Sequence, residues 1–425
     1  MLNMKAAGVI VEFNPLHSGH IEHLRETTRI TGREYTVAVM SGNFVQRGEP
    51  AICDKWHRTR MALLAGVDIV IEIPVSYVVS GADYFARAGV GLLAATGVVD
   101  KLCFGSEAGD LTLIKEAGRV LAQEPDEYKA TLKAALGKGM SFAAARGAAL
   151  SAVLGNVPPE LLTKPNNGLG MEYCKALWQM GWPMEVYTSY RKAGGPSATA
   201  IRKAVWSGHE KTVSSCCELI RNRPRLSPKM HRNSIKNDKN HHSQLNALYL
   251  PAYVSEIIKN AQHANELACL DDYSDIFRYL LFTTEAEMGE GLENRFRRLA
   301  HGHPSLTSLL DAVKTKRYTY TRIQRAALGV ILGMRKADLA AYENSGGPAY
   351  IRVLGFRRTA KDLLSEITRH AALPVITHGK AMDNLKGTAK HMLAKELEVG
   401  DIYRLAFNGI KGYRYERGVP LVVVD

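Results

Sequence analysis

The sequence predicts an α/β protein: parallel βαβ units wound on one sheet, then a mainly helical, basic C-terminal region holding a small α/β element. Three observations predict it. Short apolar runs alternate with stretches of helical periodicity, which is the pattern of crossover-connected parallel strands. Those runs end in turn formers, namely Asn14-Pro15, Ser41-Gly42-Asn43, Pro74 and Gly105-Ser106. Of the net charge of +13, residues 1–207 carry only +3 and residues 208–425 carry +10, so the two halves differ in kind.

The elements follow in order. Gly8–Phe13 reads as a buried strand, and the polar stretch to about Arg29 as a helix. Tyr35–Met40 is a second strand and Lys55–Leu64 an amphipathic helix. Val67–Ile73 is a third strand stopped by Pro74, Tyr84–Thr96 a helix, and Val98–Phe104 a fourth strand. Two helical segments lead to a late strand at Met184–Tyr190. Basic residues from Arg221 to Lys239, with only Asp238 opposed, read as a linker or exposed arm. Helical periodicity runs from Leu245 to about Met334, and Ala349–Val353, a helix through Thr359–His370 and Leu373–Thr377 form the small α/β element. The expected division is therefore 1–214, 215–244 and 245–425.

With 46% hydrophobic and 23% charged residues, the composition excludes a disordered or fibrous chain. Its most apolar neighbourhood, Met61–Ser80, is broken by Asp68, Glu72 and Pro74, so no membrane span is expected. The N-terminus enters a strand too soon for a secretion signal, and a cytoplasmic protein is expected. Cys53, Cys103, Cys174, Cys216, Cys217 and Cys269 show no zinc spacing and are expected to be reduced, with no protein-held metal. No obligate protein partner is inferred.

In a sheet of this kind, ligands sit beyond the carboxyl ends of the strands. One such end carries Asn14-Pro15-Leu16-His17-Ser18-Gly19-His20, where strand becomes helix. His17 and His20, three apart at a helix start, share a face. Free backbone N–H groups and the helix dipole favour phosphate there, and Gly19 lets a flat group lie against the backbone. Together they make a triphosphate cradle. Ser197-Ala-Thr-Ala-Ile-Arg202 reads as a second helix start, with Ser197 or Thr199 as cap and Arg202 placed to grip phosphates with its planar fork.

Other charged positions are less specific. Lys55 reads as a surface lysine or, less readily, as a contact to phosphate or acetate. Glu12 is either an orienting carboxylate or a buried, paired group, and Asp68 and Glu72 read as structural. In the basic half, Lys314, Lys316, Arg317, Arg322 and Arg325 are interleaved with Tyr318 and Tyr320. Arg295, Arg297, Arg298, Arg357 and Arg358 add to them. Such a cluster suits RNA phosphates and splayed bases.

The stretch Gly8–His20 resembles the HIGH-motif nucleotidyltransferase superfamily, whose core is Rossmann-like. Further segments sharpen the likeness: Met40-Ser-Gly-Asn-Phe-Val-Gln-Arg-Gly-Glu-Pro50, Gly66–Pro74, Phe104-Gly-Ser-Glu107, Lys164-Pro-Asn-Asn167, Ser197–Arg202 and Lys316–Arg325. These are similar to the tRNA(Met) cytidine acetate ligase family, over most of the chain. The resemblance implies an ATP- and acetate-activating domain at 1–214 and a tRNA-binding region at 245–425. It implies that N4-acetylcytidine is formed at the wobble position of elongator tRNA(Met) through acetyl-adenylate, with Mg2+ on the ATP. The implied ATP pocket takes Ile10, Val11, Phe13, Asn14, Pro15, His17, Gly19, His20 and His23, with Gly105, Ser106, either Asn166 or Asn167, Arg191, Ser197 and Arg202.

Acetate is already an anion, so its attack on an α-phosphate needs alignment and charge neutralisation rather than a general base. His17, His20 and Arg202 are the expected catalytic residues. Two other functions fit the same residues: a small-molecule adenylyltransferase or acyl ligase, and a non-catalytic RNA-binding protein that keeps a nucleotide pocket.

Overall fold

The computed structural model describes residues 4–155, 157–191, 197–207, 250–285, 287–289, 291–315, 318–407 and 416–425. The basic arm expected at 215–244, Cys216, Cys217, Lys316 and Arg317 lie outside them.

The first strand, β1 (Ala6–Val11), is central. From it the chain winds one way through α1 (Ser18–Thr31), β2 (Tyr35–Ser41), a hairpin of β3 (Phe44–Val45) and β4 (Glu49–Pro50), α2 (Lys55–Leu64) and β5 (Ile69–Ile73). A short α3 (Val75–Val78) and then α4 (Ala82–Ala95) cross back to β6 (Val99–Ser106) on the other side of β1. Helices α5 (Leu111–Gln123), α6 (Asp126–Gly137), α7 (Phe142–Leu154), α8 (Pro159–Thr163) and α9 (Pro165–Gln179) precede β7 (Glu185–Tyr190) and α10 (Ala198–Ser207).

Helices dominate the rest: α11 (Ala252–His263), α12 (Ser274–Thr283), α13 (Leu292–Leu299), α14 (Leu306–Val313), α15 (Tyr320–Ile331) and α16 (Lys336–Asn344). Strand β8 (Ile351–Arg357), α17 (Lys361–His370), β9 (Val375–Ile376), α18 (Gly387–Tyr403) and β10 (Val422–Val424) complete the chain.

The main sheet has the order β10-β8-β5-β2-β1-β6-β7, with β9 also on β8. All its pairs are parallel except β5 with β8. The small C-terminal α/β element therefore extends the N-terminal sheet: Ile69 stands opposite Phe356 and Glu72 opposite Arg352. This pairing also explains why β8 runs to Arg357, beyond the expected Val353.

Alternation sorts the strands between two cores, as period-2 side chains must. Ala6, Val37, Val39, Ile69 and Ile71 pack with Val90 and Leu92 of α4. Val9, Val11, Ala38, Met40 and Val70 pack with Leu24 of α1, Met61 of α2, Ile201 of α10 and Ile258 of α11. Contact on the α4 side is tight enough that a Cβ at Gly8 would lie 2.7 Å from Leu93.

A buried charge cluster ties the two regions together. Lys55 is fully buried, its Nζ 2.6 Å from Glu72 Oε1 and also on Glu416, so it is neither a surface lysine nor a phosphate contact. Its place at the start of α2 is set by Asp54, which accepts the His57 N–H as cap. Arg352 pairs with Glu72 at 2.9 Å and Glu416 at 3.1 Å, and Glu396 accepts the Val75 N–H at 2.6 Å. Burial and the nearby Glu72 push the Glu396 carboxyl well up from the usual carboxylate range. Asp68 is structural as expected, accepting the Thr36 N–H at 2.8 Å.

Candidate active site

The chain turns outward from β1 in opposite directions, to β2 on one side and β6 on the other, and a cleft of about 520 Å³ opens at the carboxyl ends of these strands. It is lined by Ile10, Val11, Phe13, Asn14, His17, Gly19, His20, His23, Gly105, Asn166, Arg191, Ser197 and Arg202. Pro15, Ser106 and Asn167 do not line it.

At the turn from β1 to α1, Phe13 sits at φ 47°, a left-handed conformation costly for a bulky residue. This turn delivers His17 as the N-cap of α1. His17 Nδ1 accepts the Gly19 N–H at 3.1 Å, and His20 Nδ1 accepts the His17 N–H at 3.2 Å. The rings stack with centroids 3.8 Å apart, and Phe13 meets His20 edge-on at 5.1 Å. Since each Nδ1 is an acceptor, both imidazoles carry their proton on Nε2, the donor left for a ligand.

The electrostatics agree with that tautomer. Burial, then the Arg191 charge, brings His17 down to about 4, and the same two causes bring His23 to about 4. His20 is pushed well below the ordinary range by burial, His17 and Arg191. All three are neutral at pH 7. His23 is fixed by a 2.7 Å hydrogen bond between Nδ1 and Ser189 Oγ at the end of β7.

Asparagines 166 and 167 play different parts. Asn166 bridges the cleft wall, donating to Glu107 Oε1 at 2.6 Å and accepting from Arg191 at 3.2 Å. Asn167 is fully buried, its Oδ1 taking the Glu107 and Ala108 N–H groups and its Nδ2 reaching Glu160 O, so it builds the wall from behind. Gly105 is needed by Arg191: a Cβ there would stand 2.9 Å from the arginine side chain. Ser106, also buried, bonds Thr188 and the Gly109 N–H.

On the opposite wall Arg202 donates to Asn14 O at 2.8 Å and pairs with Glu49 at 2.6 Å. Ser197 caps α10 through the Ala200 N–H at 3.1 Å. Asn14 accepts the Ile52 N–H, which leaves its buried Nδ2 a donor without a partner.

Several cleft residues were not singled out from sequence: Gln46, Arg47, Glu49, Phe85, Arg146, Glu172 and Tyr173. The first three lie on the β3–β4 hairpin after β2, whose carboxyl end the switch-point rule already marks. Glu12 is an orienting group: it accepts the Gln46 N–H at 2.6 Å, and burial raises its carboxyl above the usual range. Glu49 and Glu172 are ion-paired, the latter with Arg146 at 2.6 Å. Among the described residues no cluster of three metal-ligating side chains occurs.

The residues expected to meet RNA differ in how far they are already engaged. Lys314 is exposed, whereas Arg295 and Arg297 spend donors on helix-end carbonyls, at Val313 O and Leu281 O. Arg357 pairs with Asp68 and Arg358 with Asp425. Arg322 donates to Met288 O, and Arg325 reaches Gln46 O at 3.4 Å. Both line a second groove, described below. No helix among the described residues is long and apolar enough to cross a membrane.

Comparison with known proteins identifies the family. A family model described as HIGH Nucleotidyl Transferase matches residues 4–417. The tRNA(Met) cytidine acetate ligase of Caldanaerobacter subterraneus subsp. tengcongensis is 38% identical over 95% of this chain and 96% of its own. That of Clostridium kluyveri is 35% identical over 99% of each. The crystal structure of Thermotoga maritima TmcAL bound with alpha-thio ATP superposes with a TM-score of 0.83 at 30% identity, covering 99% of this chain and 100% of that one. The chain thus belongs to the HIGH nucleotidyltransferases and, among them, to the tRNA(Met) cytidine acetate ligase family.

Proposed function

We propose that this chain is a cytoplasmic ATP-dependent ligase that acetylates N4 of the wobble cytidine of elongator tRNA(Met), releasing AMP and pyrophosphate. One observation carries it: two neutral, stacked imidazoles, each with Nδ1 held by a backbone N–H, stand at a helix N-terminus inside a cleft rich in arginine. Family membership supports the ligase reading over a small-molecule adenylyltransferase or a non-catalytic RNA binder.

In the first step an acetate oxygen attacks the α-phosphate and pyrophosphate leaves. The Nε2–H groups of His17 and His20, the positive end of the α1 dipole and Arg202 stabilise the charge that builds on the phosphate chain. Asn14 Nδ2 supplies one more donor. Neutral imidazoles bind without trapping the product as a tight ion pair. In the second step the cytosine amine attacks the acetyl carbonyl, AMP departs and the amine loses a proton. The cleft carboxylates Glu12, Glu49 and Glu172 are each already engaged. Mg2+ would therefore arrive on the nucleotide, held by phosphate oxygens and water.

The test is acetate-dependent exchange of pyrophosphate into ATP, followed by nucleoside analysis of tRNA(Met) after incubation with labelled acetate. Exchange together with N4-acetylcytidine supports the reading. Exchange with another acid but not acetate, or no modified nucleoside, refutes it.

A further inference from the structure

We propose that Arg47 binds a backbone phosphate of the RNA beside the target cytidine, holding the base at the mouth of the cleft. This deepens the reading above and rests on it.

The β3–β4 hairpin has a three-residue loop, with Val45 opposite Glu49 and the Gly48 N–H bonded to Val45 O at 2.9 Å. Gly48 takes the left-handed position such loops require, at φ 88°. Gln46 and Arg47 thereby occupy the tip. The hairpin is fixed from both sides: Glu12 holds the Gln46 N–H, and Arg325 of α15 reaches Gln46 O. Gly48 rests on α15 so closely that a Cβ would stand 2.6 Å from the Arg325 backbone nitrogen.

Arg47 therefore projects from a rigid support, and it is exposed. Four arginines line the cleft. Arg146 is paired with Glu172, Arg191 with Asn166 and Arg202 with Glu49. Arg47 alone of the four makes no hydrogen bond or ion pair among the described residues, its charge acting only at a distance on the Glu12 carboxyl. An unpaired guanidinium at the rim, standing outside the histidine cradle, suits an anion that arrives from solution.

The surroundings indicate which anion. A second groove of about 630 Å³ is lined by Tyr84 of α4 and by Arg322, Arg325, Arg335, Lys336 and Lys395. Against these five basic side chains its acidic lining is Glu285, Glu287 and Glu398, of which Glu287 accepts the Lys336 N–H and Glu398 pairs with Lys395. Helix α4 lends Ala82 and Phe85 to the cleft and Tyr84 to this groove, and Arg325, which lines the groove, reaches Gln46 O of the hairpin, so α4 and α15 join the two. A chain of phosphates lying in the basic groove passes Arg47 on its way to the adenylate. A lone nucleotide has no use for that track.

The test compares wild type, Arg47→Ala and Arg47→Lys for binding of unmodified tRNA(Met) across a salt titration, with KM measured separately for tRNA and ATP. In Arg47→Ala, KM for tRNA is expected to rise at least about fivefold more than KM for ATP. The slope of log affinity against log salt should become shallower by about one unit. Arg47→Lys should restore the slope, since a point charge suffices for a phosphate. Equal rises in both KM values, or an unchanged slope, would overturn the assignment while leaving the ligase reading intact. A wild-type chain that binds no tRNA would overturn both.

Discussion

Arg202 Nη2 lies 2.6 Å from Glu49 Oε1, so the arginine aimed at the phosphates is oriented by the hairpin after β2. Arg202→Ala should slow adenylate formation by about a hundredfold or more, the scale of one lost transition-state donor. Glu49→Gln keeps an acceptor for Arg202 and should cost less than about tenfold. Pyrophosphate exchange measures both, and equal losses would mean that Glu49 acts on substrate directly.

His17 serves two purposes that substitution can separate. As N-cap of α1 it supports the fold, and through Nε2–H it serves the phosphates. Asparagine is a good cap, so His17→Asn should unfold at nearly the wild-type temperature while losing about a hundredfold or more in exchange. His17→Ala should lose both, with stability down by about 1 kcal/mol. Calorimetry beside the exchange assay decides between them.

Histidines held neutral by burial make stability depend on pH. His17 and His23 sit at about 4 when folded and near 6.5 when unfolded, so the unfolded chain binds more protons between those values. Their contribution is complete above pH 6.5 and is lost as pH falls towards 4. The melting temperature of the ligand-free protein should drop over that window. The double variant His17→Asn, His23→Gln should show a shallower drop, and an unchanged profile would contradict the burial argument.

Lys55 offers a sharp contrast between a buried tie and a ligand contact. Lys55→Met leaves Glu72 and Glu416 short of a cation and should cost about 3–5 kcal/mol in urea unfolding. KM for ATP should stay near wild type in the protein that remains folded. Normal stability with a raised KM would restore the phosphate-contact reading.

Much of this was readable in sequence because local chemistry decided it. The strands β1, β2 and β5 are apolar runs followed by Asn-Pro, Ser-Gly-Asn and Pro, with the histidine pair beyond the first, whereas β6 runs on through the expected stop at Gly105-Ser106, which pairs with Ser189 and Tyr190 of β7. What escaped depends on distant partners. Lys55 sits in an amphipathic pattern, and nothing near it announces Glu416 or Arg352, hundreds of residues on. Strand β8 reads as a strand, yet its place beside β5 follows from long-range pairing. Asn166 and Asn167 were inseparable until the helix start turned one into the cleft and the other behind it. Arg295 and Arg297 suit RNA by charge, and their bonds to helix-end carbonyls, which join distant helices, are not readable from their neighbours in sequence.

The most direct measurement is a crystal structure of this protein with a non-hydrolysable ATP analogue. Phosphate oxygens are expected within about 3 Å of Nε2 of both His17 and His20, with Arg202 close to the terminal phosphates. Phosphates lying elsewhere in the cleft, with both imidazoles turned from them, would contradict this.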